Sequence, residues 1–122
     1  MKIAVTSTGK TLDSQVDPRF GRAAYFMIID TETMDFSAIE NESVAAGGGA
    51  GISSAKTVID AGAQAVITGN CGPNAHRTLT AAGIKLYVGV TGTVAEAVEL
   101  FKNGKLTETT EPNVHTHFGK DK

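Results

Sequence analysis

The single cysteine of this chain, Cys71, stands in the stretch GNCGPNA, between an apolar β-rich run and a segment opened by Pro73. Proline suits the first turn of a helix, so Cys71 is expected at a helix mouth, where the dipole lowers a thiol's pKa and favours the thiolate. A thiolate there could bind a soft metal such as Cu(I), iron or zinc. The same position equally suits a small residue in a tight turn. Nucleophilic catalysis would need a base, and His76 lies more than one helical turn from Cys71, so no Cys–His pair is implied. His76 itself is expected as a surface helix residue. His115 and His117 alternate in VHTHFGK and would project to one side if extended. Two imidazoles can share a metal, but a site needs further ligands, and a solvated pair is the simpler expectation.

Glycines mark three further places: Gly47, Gly48, Gly49 and Gly51; Gly69 and Gly72; Gly89 and Gly92. Glycine lets a ligand approach the backbone closely. DPRFGRA adds Arg19 and Arg22, which could close over the same edge, while Asp17 is expected to pair with an arginine. The bland alternative is turn glycines and solvated arginines. GGGAG is no dinucleotide fingerprint, because Ile52 stands where the third glycine belongs, and no G-K-[ST] follows to make a P-loop. No two carboxylates are placed by a motif for metal-assisted hydrolysis, and the sequence offers no convincing catalytic constellation.

The elements that must position these residues follow from periodicity. KIAVT (2–6), YFMIID (25–30), FSAIEN (36–41), QAVITG (64–69) and IKLYVGV (84–90) read as strands. A helix with Ile52, Ala55, Ile59 and Ala63 on one stripe follows the glycine-rich stretch. A second opens at Pro73 and turns Ala75, Leu79 and Ala82 to the core. A third has a capping box, Thr93 with Glu96, and the stripe Val94, Ala97, Val98 and Phe101. The order β-β-β-α-β-α-β-α with right-handed crossovers gives a mixed α/β sheet. The loops after strands one, three, four and five then leave at one edge, and helix N-termini near Gly51, Pro73 and Thr93 point there. Helix ends present free N–H groups and partial positive charge, so this edge is expected to bind an anion.

The chain has 122 residues, which suits one domain, and hydrophobic residues make up 41 %, which excludes a disordered protein. A net charge of −2 gives no electrostatic footprint for nucleic acid. One cysteine excludes an internal disulfide framework and a four-cysteine iron–sulfur or zinc site within one chain. No run approaches the roughly 20 apolar residues of a membrane span. A cytoplasmic protein is expected, with a single domain over 1–104 and a polar, flexible tail over 105–122.

MKIAV, VDPRFGRAAYFMIID, GGGAGISSA and GNCGPNAHRTLTAAGIKLYVGVTGTVAEAVE together resemble the dinitrogenase iron–molybdenum cofactor biosynthesis family. That family includes the NifX and NafY carriers, the C-terminal domain of NifB and the small orange protein of sulfate reducers. The resemblance covers 1–104. It implies an RNase H-like sheet of strand order 3-2-1-4-5, and binding or carriage of an anionic metal–sulfur cluster rather than catalysis. The cluster is expected to be a molybdenum–copper sulfide, or an iron–sulfur or iron–molybdenum cofactor precursor. Such a cargo could be held by N–H···S contacts and charge without a full set of protein ligands. AAGGGAGIS lacks the histidine that many relatives carry there, and Cys71 falls where many relatives have another residue. The first strand has no aspartate for nuclease chemistry.

The expected cargo contacts are Arg19, Arg22, Gly47, Gly48, Gly49, Gly51, Cys71, Gly72, Asn74 and Thr93, with Cys71 as metal contact and His115 and His117 as further metal candidates. Expected partners are cluster donor and acceptor proteins, with no nucleic acid and no membrane; the chain is expected as a monomer or weak homodimer. The alternatives are a regulatory adaptor without cofactor, or an enzyme on a small anionic substrate.

Overall fold

The computed structural model describes residues 1–41 and 50–109. Five strands and three helices follow in the order β1 (Lys2–Ser7), β2 (Tyr25–Asp30), β3 (Phe36–Glu40), α1 (Ala50–Asp60), β4 (Ala65–Ile67), α2 (Pro73–Ala81), β5 (Lys85–Tyr87) and α3 (Val94–Lys102). They build one mixed sheet of order β3-β2-β1-β4-β5, the order that the family resemblance implies. β2 and β3 form an antiparallel hairpin, and β2 runs antiparallel to β1, with Lys2 opposite Asp30 and Ser7 opposite Tyr25. β4 lies parallel to β1, and β5 parallel to β4.

Both sheet faces are covered, which is why β4 carries no charge. Side chains alternate along a strand. Ala4, Phe26, Ile28, Val66 and Leu86 therefore pack beneath Ala55 and Val58 of α1 and Ala75 and Leu79 of α2. Ile3, Val5, Met27, Ile29, Ala65 and Ile67 pack with Val94, Ala97 and Val98 of α3 on the opposite face. Phe101 is half-buried and meets Tyr87 edge-on, with ring centroids 5.4 Å apart. Among the described residues no helix is long and apolar enough to cross a membrane.

Two helix faces differ from expectation. α1 buries Ala50, Ser54, Ala55 and Val58, whereas Ile52 is exposed and Ile59 half-buried. The stripe is turned because a polar residue belongs to it: the Ser54 hydroxyl donates to Asn41 Oδ1 and the Gly21 carbonyl, both at 3.4 Å. A polarity pattern cannot foresee a serine satisfied in the interior. Ala82 is exposed because α2 stops at Ala81 and Ala82 is its C-cap. All three helices are followed by a glycine of positive φ, Gly62, Gly83 and Gly104.

The chain stays attached beyond Gly104. Leu106 packs on the α3-side core, and the Thr109 N–H donates to the Leu86 carbonyl at 2.7 Å. Residues 110–122, with His115 and His117, and residues 42–49, with Gly47, Gly48 and Gly49, lie outside the described residues.

One close approach fixes the carboxyl edge of the sheet. A Cβ placed at Gly69 would lie 2.7 Å from Pro18 Cα and 2.9 Å from its carbonyl oxygen, closer than real contacts allow. At Gly72 a Cβ would meet nothing within 4 Å. Gly69→Ala is therefore expected to lose about 1–3 kcal/mol of stability, and Gly72→Ala to stay within about 0.5 kcal/mol of wild type, both read by urea denaturation.

Candidate functional site

The long loop after β1 is shaped by Asp17, which is 4 % exposed. Its Oδ1 accepts from the Arg19 N–H at 3.1 Å and its Oδ2 from the Ala24 N–H at 3.3 Å. Arg19 Nε also stands 3.6 Å from Asp17 Oδ1, while the arginine side chain remains 62 % exposed. The expected Asp17–arginine pairing is thus present, within a larger role: one buried carboxylate holds both ends of the arginine-bearing turn. Behind it, the Thr6 hydroxyl donates to the Asp17 carbonyl at 2.7 Å and lies 2.9 Å from Thr68 Oγ1.

Three segments converge against this turn. Asn70 Nδ2 donates to the Pro18 carbonyl at 3.0 Å, and the Phe20 N–H donates to the Asn70 carbonyl at 3.1 Å. Asn41 Nδ2 donates to the Ala23 carbonyl at 2.8 Å and to that of Gly21 at 3.3 Å. A Cβ at Gly21 would come within 3.1 Å of the Gly51 backbone, and one at Gly51 within 3.3 Å of Ala75 Cβ. Small residues thus let the turn, the start of α1 and the start of α2 touch. The turn that carries Arg19 and Arg22 thus lies against the segments that carry Gly51, Cys71, Gly72 and Asn74.

The helix ends at this edge are not equivalent. α3 is closed by the protein itself. Its capping box is complete, with Thr93 Oγ1 accepting from the Glu96 N–H at 3.1 Å and Glu96 Oε1 accepting from the Thr93 N–H at 2.8 Å. The Val94 and Ala95 N–H groups donate to the carbonyls of Ser14 and Leu12 at 2.8 and 2.9 Å. The expectation that Thr93 and this end serve an anion is corrected: their donors are already used. α2 is different. Gly72 is its N-cap in an ordinary extended conformation, with no side-chain cap hydrogen bond. Proline at the first position has no N–H, and the His76 N–H donates to the Gly72 carbonyl at 3.0 Å, so the donors without an intrahelical partner are those of Asn74 and Ala75. Asn74 is exposed, and its Oδ1 accepts from Arg77 Nη2 at 2.7 Å. Arg77 is therefore a third cation at this edge, one we did not expect from the sequence; its spacing of three residues from Asn74 was the available signal.

Cys71 departs from expectation. It is 1 % exposed and belongs to the core cluster beneath α1 and α2, with its Sγ 3.7 Å from the Gly72 carbonyl. Burial pushes the thiol from its ordinary 9.0 up to about 12. The helix end does not yield a thiolate, because desolvation of the charged form outweighs the dipole. His76 is half-buried rather than a surface residue, and its Nε2 is buried with no hydrogen-bond partner among the described residues. No group of three or more His, Cys, Asp or Glu that could hold a metal ion occurs among the described residues.

Between the loops after β4 and β5 lies a cleft of about 430 Å³, lined by Pro18, Gly69, Asn70, Gly89, Thr91 and Gly92 among others. The Gly89 N–H donates to the Gly69 carbonyl at 2.8 Å and joins its two walls. Such a cleft at the carboxyl ends of parallel strands is where open α/β sheets bind ligands. Asn70, Pro18 and Asn41 were not among the residues expected here, because their contribution is made by long-range hydrogen bonds and contacts that carry no local motif.

Comparison with known proteins agrees with this architecture. The apo form of the orange protein of Desulfovibrio gigas superposes with a TM-score of 0.91 at 42 % identity, over 93 % of this chain and 96 % of that one. A Thermotoga structure assigned provisionally as a NifB protein gives a TM-score of 0.79 at 38 % identity, over 99 % and 98 % of the two chains. An uncharacterised protein of Methanocaldococcus jannaschii is 31 % identical over 110 residues, 87 % of this chain and 93 % of the relative. The family profile described as dinitrogenase iron-molybdenum cofactor matches residues 1–104. The chain belongs to the dinitrogenase iron–molybdenum cofactor family.

Proposed function

We propose that this protein binds and carries an anionic metal–sulfur cluster, as cargo passed between donor and acceptor proteins, and that it is not an enzyme. The observation that carries this reading is the side-chain-uncapped entry of α2 set beside Arg19, Arg22 and Arg77, with no cluster of metal-ligating side chains among the described residues. Such a donor set suits an anion whose outer atoms are sulfides and whose charge is spread over its surface. It suits a naked metal ion poorly. Cations neutralise the cargo, and N–H groups of the α2 entry and the Asn74 amide reach its sulfur atoms. Asp17 offsets part of the charge of Arg19. Membership of the family supports a cofactor-related cargo; a molybdenum–copper sulfide or an iron–molybdenum precursor both meet the chemical requirement.

In this reading Gly72 lets the cargo approach the α2 entry. A Cβ there would stand in open space, where the cargo would otherwise lie. Cys71 acts from the core, shaping the turn without touching metal, and Thr93 closes its own helix.

Anaerobic addition of tetrathiomolybdate and copper, followed by desalting, is expected to leave a coloured species at a fixed metal ratio per chain. Binding should weaken as salt rises, because the exposed arginines are screened, and Arg22→Ala should weaken it about tenfold. A protein that retains no metal under these conditions or with iron and sulfide would refute the carrier reading.

The buried thiol makes a separate, pH-dependent prediction. Its proton is held more tightly in the folded than in the unfolded chain, so its stabilising contribution is full below about 9 and is lost as pH rises towards about 12. Wild-type stability should therefore fall more steeply than that of Cys71→Ala across this window. Parallel curves for the two proteins would place the thiol outside the core. At neutral pH the folded protein should resist alkylation at Cys71, and Cys71→Ala should retain the cargo.

A further inference from the structure

Arg19 is held from two sides. On one side Asp17 accepts from its backbone N–H and faces its Nε. On the other, Asn70 takes both neighbouring peptide groups: its amide donates to the Pro18 carbonyl and its carbonyl accepts from the Phe20 N–H. Arg19 and Asn70 accordingly form a one-residue parallel bridge that continues the sheet beyond its strands. Asn70 and Pro18 also line the cleft between the β4 and β5 loops. The same asparagine therefore forms a wall of the cleft and fixes the backbone of the arginine beside it.

We infer that Asn70 is the positioning residue that holds Arg19 beside cargo at the α2 entry, an inference that rests on the carrier reading above. Asp17 alone cannot set this geometry. It holds the turn to itself, between Arg19 and Ala24, whereas Asn70 ties the turn to the β4–α2 connection, where the α2 donors are. Without the Asn70 amide, the Pro18 carbonyl loses its side-chain donor, and the arginine-bearing turn is left to the backbone bridge and the Pro18–Gly69 contact alone. The backbone bond from Phe20 remains, so the loss falls on orientation rather than on folding. Arg22, three residues further along and beyond the segment bracketed by Asn70, should not depend on it.

The test is a double-mutant cycle on the full chain, reading retention of the tetrathiomolybdate–copper product by equilibrium titration, its salt dependence, and the thermal midpoint. Asn70→Ala should lower affinity five- to tenfold, about as much as Arg19→Ala, and reduce the salt slope by a similar amount. In an Arg19→Ala background the same change should have no further effect, whereas in an Arg22→Ala background its effect should persist. Additivity of Asn70→Ala with Arg19→Ala would overturn the inference while leaving the carrier reading intact. So would an equal loss of the Asn70 effect in both arginine backgrounds, which would mark a general loosening of the loop. If Asn70→Ala does not fold, Asn70→Ser, which keeps a donor on a shorter side chain, is read by the same cycle. A wild-type chain that retains no cargo would overturn both.

Discussion

Pro18 lies so close against Gly69 that no side chain fits between them, and much of the carboxyl edge is arranged around that contact. The loop after β1 is long and has few apolar residues of its own to bury. It is seated by Phe20 and Ala23 in the core, by the buried carboxylate of Asp17, and by the abutment of Pro18 on the end of β4. Once seated, it brings two arginines to the entries of α1 and α2, and Gly21 and Gly51 allow the same closeness one layer further out. Glycine at 69 and 21 is thus explained by packing. Glycine at 72 is not, since neither its backbone conformation nor a neighbouring atom requires it.

This arrangement separates two kinds of chemistry that the sequence placed side by side. Cys71 and Gly72 are neighbours, yet one is sealed in the core and the other faces open space. Burial raises the thiol's pKa, against the lowering that a helix mouth would give, so the thiol stays a neutral core residue. The uncapped α2 entry and the exposed guanidinium groups are what remains for an incoming anion. Those groups recognise charge and diffuse acceptor atoms, and impose little on the identity of the metal inside. A carrier benefits from that: a cargo held without strong protein–metal bonds can be given up to an acceptor that does supply them.

The strands, the three helices and the third helix's capping box were legible in the sequence because each rests on a local signal, whereas the sheet order came from the family resemblance. These signals are alternating or unbroken apolar runs, a proline at a helix start and a Thr–Glu pair three apart. The convergence of the loops at one edge followed from the right-handed crossover rule. The burial of Cys71 was not legible, since a dipole argument says nothing about desolvation. Nor was the closure of α3 by the carbonyls of Leu12 and Ser14, which come from a loop some eighty residues earlier in the chain. Ser54 and Asn41 carry no motif that marks them as buried, and only the folded chain reveals that they bond each other and Gly21 in the interior.

The central claim is that charge and N–H groups, and no protein ligand to the metal, hold the cargo. X-ray absorption at the copper edge of the reconstituted protein tests it most directly. The account predicts a first shell of sulfide sulfur alone, identical in wild type and Cys71→Ala. A nitrogen scatterer in that shell, or a sulfur lost on replacing Cys71, would contradict it.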